Sequence, residues 1–277
     1  MTNKKRTARE VADDLRTRVL NEEKQPGETL ATIAELATQY DVARETVRAA
    51  VTMVASEGLV RSVHRRGVVV QGRVRRRRIR RGQVVTRNPH TGYVFPATHD
   101  AGEKWVAHGT PHRSLEAAPE IVATTFGVEV GASVLRRRRV TSPAGEPAFQ
   151  LVDTWLSPQA VTDAPQVAEP STGPGGYLDR LEEAGHGPLS WREVTRVRMP
   201  SAEEAKLLEI ATAMPVFEIT MTGYSARNDQ PLEVTIKVIP GDRVELVADL
   251  VRGESAEWPV SPVTPSEGSR GAGGTTP

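Results

Sequence analysis

The sequence contains no cysteine among its 277 residues. Disulfide bonds, thiolate metal sites and cysteine nucleophiles are therefore excluded together. The sequence also lacks any run of 18 apolar residues, which excludes a transmembrane helix. Residues 1–9 are basic but have no apolar stretch behind them, so we expect no signal peptide and a cytoplasmic location.

Net charge is nearly absent as well, but the two parts of the chain differ in sign. The formal net charge is +1. Residues 1–82 carry 19 Lys and Arg against 10 Asp and Glu, whereas the remaining residues carry 17 against 25. A basic module is typical of proteins that bind nucleic acid, and an acidic module would be repelled by the same polyanion. We therefore expect two modules with different roles, which the length of the chain allows.

The first 70 residues have the pattern of a winged helix-turn-helix. Thr7 with Glu10, and Thr32 with Glu35, have the spacing of a capping box. Apolar residues follow each box at helical spacing. The pattern predicts helices over 7–20, 32–40 and 44–57, a turn at Pro26-Gly27 and a β-hairpin with a basic tip.

The predicted third helix and the hairpin carry the side chains that are placed to read DNA. A helix in this position can enter the major groove, while the hairpin tip reaches phosphate or the minor groove. Arg44, Thr46 and Arg48 lie on the polar side at the start of that helix. The candidate DNA-binding residues are Thr32, Arg44, Thr46, Arg48, Arg65, Arg66 and Gly67.

This part of the sequence resembles the GntR family of transcriptional regulators. The resemblance is carried by Pro26-Gly27-Glu28-Thr29-Leu30, by Glu35-Leu36-Ala37 and by residues 42–50 and 56–60, in the family's order and spacing. It implies a homodimer that binds an operator in double-stranded DNA, with one winged helix on each half of an inverted repeat.

From residue 118 onward, short helices and strands alternate in an α+β pattern, which includes a helix over 177–184 and a last strand over 244–251. The segments Gly145-Glu146-Pro147, 177–182, 200–205 and 230–234 resemble the UTRA domain, the effector-binding half of the HutC branch of GntR regulators. The resemblance implies the fold of chorismate lyase, a mostly antiparallel sheet with helices, used for binding and not for catalysis.

Four residues of this second module are candidates for binding an effector: Arg137, Arg139, Trp155 and Glu233. Residues 136–139 are consecutive arginines on a predicted strand, so alternate members face opposite sides of the sheet. Parity alone leaves open which pair faces inward. The resemblance implies that arginines of this strand, and Glu233, hold acidic groups of the effector. A surface position or an ion pair with Lys237 remains the alternative for Glu233.

The predicted domains are a DNA-binding domain over 1–72, a basic linker over 73–104, an effector-binding and dimerisation domain over 105–252 and a disordered tail over 253–277. Residues 73–81 include seven arginines, which are either a solvated linker or an arm on DNA phosphates.

We predict a transcriptional regulator, a repressor, whose operator binding responds to a small-molecule effector. Two alternatives stay open: a repressor with a degenerate pocket and no ligand, and an enzyme of the chorismate lyase type fused to a DNA-binding head. The sequence shows no acid–base set and no metal-ligand spacing. We therefore predict no catalytic residues, no metal, no cofactor, no enzyme activity and no membrane partner.

Overall fold

The structure, a computed structural model, describes residues 6–21, 23–25, 27–63, 66–70, 76–82, 84–88, 92–95 and 103–256. Four sequence predictions concern residues outside these ranges: Pro26 in the first turn, Arg65 at the hairpin tip, residues 73–75 of the arginine run, and the disordered tail from residue 257 onward. Within the described ranges, no helix combines the length and the hydropathy that crossing a membrane requires.

The N-terminal part folds as three helices and a hairpin, as predicted. Its elements are α1 (Ala8–Leu20), α2 (Ile33–Tyr40), α3 (Arg44–Ser56), β1 (Val60–Val63) and β2 (Gly67–Val70). Both predicted capping boxes are confirmed. The hydroxyls of Thr7 and Thr32 accept hydrogen bonds from the backbone N–H groups of Glu10 and Glu35, and the carboxylates of these glutamates accept hydrogen bonds from the backbone N–H groups of the two threonines. These bonds satisfy N–H groups that a helix start otherwise leaves unpaired.

This N-terminal part has its own apolar core. The residues that α1, α2 and α3 turn toward one another are completely or almost completely buried, including Leu15, Leu36 and Val47. Full burial of one such side chain stabilises a fold by about 1.5–3 kcal/mol. Arg61 of β1 forms an ion pair with Glu209 of the second module, which joins the two parts in this structure.

Six strands form the sheet of the second module: β6 (Trp105–Ala117), β7 (Ser133–Pro143), β8 (Gln150–Leu156), β9 (Ser190–Arg198), β10 (Val216–Tyr224) and β11 (Pro231–Pro240). They pair antiparallel in the order β6-β7-β8-β11-β10-β9. The helices that accompany them are α4 (Glu120–Phe126), α5 (Pro158–Asp163), α6 (Gly176–Leu181) and α7 (Ala202–Leu207). The predicted class, α+β with a mostly antiparallel sheet, is confirmed.

The connection between the two parts also contains strands. These are β3 (Arg77–Arg80), β4 (Thr86–Asn88) and β5 (Gly92–Val94). The pattern over 244–251 predicted another strand of the second module. The corresponding strand, β12 (Val244–Val247), does not join the six-stranded sheet and instead pairs in parallel with β3. The linker is thereby attached to the C-terminal end of the sheet domain.

The six-stranded sheet has two differently covered faces. The α4 face is packed by α4, whose Val122 and Ala123 contact Trp155 and Val234. The linker face carries Arg137, Arg139, Glu233 and Lys237, which alternate with the residues of the α4 face along β7 and β11. Ile79 of β3 packs on this second face against Ile219 and Ile239. Strand β3 of the linker therefore lies against this face of the sheet.

Candidate DNA-binding and effector-binding sites

Helix α3 presents its polar residues to solvent. Val47, Ala50 and Val54 are buried on the opposite side. Arg44 is exposed, and the Arg48 side chain is 63% exposed and pairs with Glu45 one turn before it, at 2.9 Å. Exposed i,i+3 pairs of this kind contribute only tenths of a kcal/mol, so the Arg48 guanidinium is available to a base or a phosphate.

Thr32 has a different structural position from the other DNA-binding candidates. Its hydroxyl donates to the Glu35 carboxylate at 3.0 Å and accepts the Glu35 N–H at 3.3 Å. The capping box thus occupies this hydroxyl, whereas Thr46 on the first turn of α3 is partly exposed and has no side-chain partner within the described ranges.

The hairpin of β1 and β2 forms the wing. Val63 and Gly67 are its last paired residues, and Gly67 has φ of 90°, a conformation that favours glycine. Arg66 is exposed at the tip, and its Nη2 donates to the carbonyl oxygen of Gly27 at 3.3 Å. Arg65 lies outside the described residues. The wing therefore carries at least one exposed cation on the DNA-binding part.

The described arginines of the run 73–81 pair with the second module. Arg78 and Arg80 form ion pairs with Glu245 and Asp249, at 3.2 and 3.1 Å. Arg77 is 8% exposed and binds Glu103 and Glu146, at 2.7 Å each. Residues 73–75 lie outside the described ranges. This arrangement favours the linker interpretation for residues 77–81, because carboxylates of the protein already pair with their arginines.

The arginine strand β7 divides its side chains between the two faces. Arg136 and Arg138 both bind Asp153 on the α4 face, with N–O distances of 2.8–3.0 Å. Burial raises the pKa of Asp153, although the ion pair with Arg138 opposes this shift. Arg136 and Arg138 are therefore held in ion pairs with Asp153 within the protein. The other pair, Arg137 and Arg139, therefore faces the linker side.

Arg137 and Arg139 differ in how firmly they are held. Arg137 donates to the carbonyl oxygens of Val167, Glu169 and Pro170, at 2.6–3.1 Å. Arg139 is exposed and has no hydrogen bond or ion pair with any residue in the described parts of the chain. The two guanidinium groups, together with Arg113, line a cavity of about 290 Å³. This cavity is strongly cationic.

Glu233 is fully buried on the linker face. Its Oε2 accepts hydrogen bonds from the hydroxyls of Tyr177 and Thr235, at 2.6 and 2.8 Å. Burial raises the pKa of Glu233 and holds that of Tyr177 well above its ordinary value. Oε1 of Glu233 is buried and has no partner meeting hydrogen-bond geometry among the described residues. Sequence reasoning left open a surface position for Glu233, and the structure excludes it.

Trp155 does not join the other three effector-binding candidates. It pairs in register with Arg136 and Val234, and the Arg136 guanidinium lies 5.3 Å from its ring centroid. Trp155 is therefore on the α4 face, on the opposite side of the sheet from Arg137, Arg139 and Glu233. These four residues cannot line one pocket.

In a comparison with known proteins, each of the two parts of the chain matches a protein family. The family "Bacterial regulatory proteins, gntR family" matches residues 7–70, and the UTRA domain family matches residues 111–245. The chain therefore combines a GntR-type DNA-binding domain with a UTRA domain. It is a DNA-binding transcriptional regulator and not an enzyme, which confirms the prediction and removes the alternative of a fused chorismate-lyase-type enzyme.

Relatives of this GntR regulator extend over most of its length. It is 29% identical to an HTH-type transcriptional regulator of Streptomyces coelicolor over 259 residues, 90% of this chain and 94% of that one. It is 28% identical to the HTH-type transcriptional repressor PhnF of Mycolicibacterium smegmatis over 222 residues, 80% and 84% of the two chains. A crystal structure assigned to the GntR family of transcriptional regulators superposes with a TM-score of 0.53 at 24% identity, covering 89% of this chain and 98% of that one.

Several polar residues around the effector-binding candidates were not identified from the sequence. The sequence predicts Tyr177 only as part of a helix, whereas Thr235 and Lys237 follow Glu233 at the spacing of one strand face. Extending the parity of Glu233 along β11 would have found both. Tyr177 has no such signal, because its position depends on how α6 packs against the sheet.

Proposed function

We propose that this protein is a homodimeric, cytoplasmic repressor of the HutC branch, and that an acidic small molecule on the linker face of the sheet changes its affinity for an inverted-repeat operator. The observation that carries the proposal is the position of Arg139. Its guanidinium lies beside Arg137, on the face against which the linker strand β3 packs, and has no partner among the residues that the structure describes. A ligand on this face can act on the connection to the DNA-binding part.

Within this proposal, Arg44, Thr46 and Arg48 contact base edges, and Arg65, Arg66 and Gly67 hold the backbone beside them. Thr32 acts through its capping of α2 and the N–H groups at that helix start. The domains have the boundaries 1–72, 73–104, 105–252 and 253–277.

The two edges of the six-stranded sheet differ in their fitness for a dimer contact. On β9, the side chains of Arg192, Arg196 and Arg198 share one face of the sheet. If two copies of β9 pair antiparallel about a two-fold axis at residue 194, 195 or 196, arginines of the two copies lie opposite one another. Like charges opposite each other oppose strand pairing. We therefore place the dimer contact at the other edge of the sheet.

Strand β6 offers a pairing without such a conflict. A two-fold axis at Ser114 places His112 opposite Glu116 and Arg113 opposite Leu115, which is 69% exposed. We therefore propose that two copies pair through β6.

Placing a second arginine opposite Arg113 tests this contact. The variant Leu115→Arg should dissociate the dimer in analytical ultracentrifugation. Val197→Arg makes the same change on the exposed surface of β9 and is the control, which should remain dimeric. A dimer that tolerates Leu115→Arg but not Val197→Arg would contradict the proposed contact.

Operator affinity measured with and without small acids tests the effector part of the proposal. The full chain is titrated against its selected operator in the presence of a panel of carboxylates and phosphate esters. We expect one of them to change the operator dissociation constant at least tenfold. Arg139→Gln should raise the acid concentration needed for half of that change by about ten- to a hundredfold, because it removes a charge-assisted contact with the acid, and should leave ligand-free DNA binding unchanged.

Arg192→Gln is the control for this experiment, because it deletes an exposed arginine from the α4 face. Its response should equal that of the wild type. An operator affinity that no acid changes would support the remaining alternative, a repressor that binds its operator without a ligand.

A further inference from the structure

A second cavity lies between the linker strand β3 and the sheet. It has a volume of about 210 Å³, and Ile219, Met221 and Ile239 of the linker face form its floor. Phe95 and Trp191 form an aromatic wall, with 5.1 Å between their ring centroids. For comparison, an engineered cavity of about 150 Å³ holds a benzene molecule. The cavity therefore has the size and lining for a small apolar group.

Arg81 reaches this cavity from the end of the linker strand. One guanidinium nitrogen, Nη1, binds Oε1 of Glu193 at 2.5 Å. The other two side-chain nitrogens, Nε and Nη2, are buried and have no hydrogen-bond partner among the described residues. Buried donors are nearly always paired, because leaving one unpaired costs about 1–3 kcal/mol. Arg81 therefore has two donor nitrogens to offer to a ligand.

Two further polar groups face the same space. Lys237 lies on the cavity wall, with Nζ 5.9 Å from the Phe95 ring centroid, and forms no ion pair within the described ranges. Burial lowers the pKa of Lys237, and Glu193 acts against this shift. Gln150 donates to Thr141 through Nε2, whereas its Oε1 is buried without a partner in the described structure.

The charges around the cavity favour an anion. Arg81 and Lys237 outnumber the single carboxylate of Glu193, which occupies only one nitrogen of Arg81. The apolar floor disfavours a fully hydrated inorganic anion, since such an ion would lose water without gaining apolar contacts. A carboxylate attached to a ring or a short alkyl chain satisfies both parts of the lining.

We propose that this cavity is a second ligand site, separate from the arginine cavity beside Arg139, and that it binds a small monocarboxylic acid with an apolar body. The carboxylate lies between Arg81 and Lys237, and the apolar body packs on the floor against Trp191. A hydroxyl or N–H on that body donates to Oε1 of Gln150. Because Arg81 belongs to the linker, an occupied site fixes the linker against the sheet.

Titration of the full chain with sodium benzoate and sodium hexanoate, followed by tryptophan fluorescence, tests this site. We expect a saturable change with at least one acid, lost in Trp191→Phe, and no change with the neutral analogue benzamide. Arg81→Gln and Lys237→Met should each weaken binding by about ten- to a hundredfold.

Two control variants show whether the fluorescence change comes from this cavity. Arg78→Gln removes a solvent-facing arginine from the same strand and should bind like the wild type. Arg139→Gln should also bind normally, so that loss of the proposed effector response and loss of this site are distinguishable. The proposal is overturned if neither acid gives a saturable change up to about 10 mM, if benzamide binds equally well, or if only Arg139→Gln weakens binding.

Discussion

Neutralising the exposed arginines of the linker strand should leave the salt dependence of DNA binding almost unchanged. Arg78 and Arg80 already pair with Glu245 and Asp249 on β12 and just beyond it. An arginine that binds a DNA phosphate releases counterions and contributes about 0.9 to the slope of log K against log salt concentration. Losing two such contacts would lower the slope by about 1.8, whereas losing two pairs within the protein should lower it by less than about 0.5.

The assay is fluorescence anisotropy of the full chain with a random-sequence DNA duplex over a series of salt concentrations. A random duplex suffices because phosphate contacts do not depend on sequence. The test variant combines Arg78→Gln and Arg80→Gln. Arg66→Gln at the wing tip is the positive control and should lower the slope by about 0.9. A decrease above about 1.5 for the double variant would refute the reasoning and restore an arm on phosphates.

Three further changes test the packing of the second module. Arg77→Gln breaks the buried ion pair with Glu103 and should lower the free energy of unfolding, measured in urea, by about 3 kcal/mol. This value is near the lower limit for buried ion pairs because Glu103 is partly exposed. An unchanged urea midpoint would contradict this prediction. Gly223→Ala would set a Cβ atom 2.8 Å from Cγ of Glu233 and 3.2 Å from Nε1 of Trp191. This overpacking should lower the free energy of unfolding by about 1–3 kcal/mol. A variant as stable as the wild type would show that both side chains move freely. Burial raises the pKa of Glu233, so the folded state keeps this proton at pH values where the unfolded chain has lost it, and stability falls as pH rises through that window. Glu233→Gln should remove this fall between the unfolded and the folded pKa, measured as unfolding free energy against pH, and an identical pH profile would contradict the assignment.

The DNA-binding part was predictable because its signals are local. The hydroxyl of Thr7 and the carboxylate of Glu10 are three residues apart, and the same holds for Thr32 and Glu35, so the sequence alone specifies both helix starts. The left-handed conformation of Asp41, with φ of 52°, ends α2 at the residue expected from the pattern.

Two strands of the second module were less accessible to sequence reasoning. Most side chains of β6 are exposed, and a bulge between His108 and His112 interrupts its register, so no alternation of apolar residues marks it. Strand β12 was predicted as a strand, but its partner β3 is 167 residues away in sequence, from Arg78 to Glu245, and no local pattern indicates such a pairing.

The effector-binding candidates show the same limit. Strand parity established that Arg137 and Arg139 share one face, but the choice of face depends on Asp153, which comes from the next strand. The position of Trp155 depends on the register between β7 and β8, which pairs it with Arg136. Register of this kind is set by tertiary packing and is not encoded within either strand.

Binding of the full chain to its selected operator, compared between the wild type and Arg48→Ala, tests the central claim most directly. DNA fragments from upstream of the gene are enriched by binding, and the affinity of the enriched site is measured by anisotropy against a scrambled duplex. We expect an inverted repeat with half-sites about one helical turn apart, and a loss of about 1–3 kcal/mol with relaxed preference at one base position in the variant. Equal affinity of the wild type for the enriched and scrambled duplexes, or unchanged affinity and specificity in a folded Arg48→Ala variant, would contradict the account.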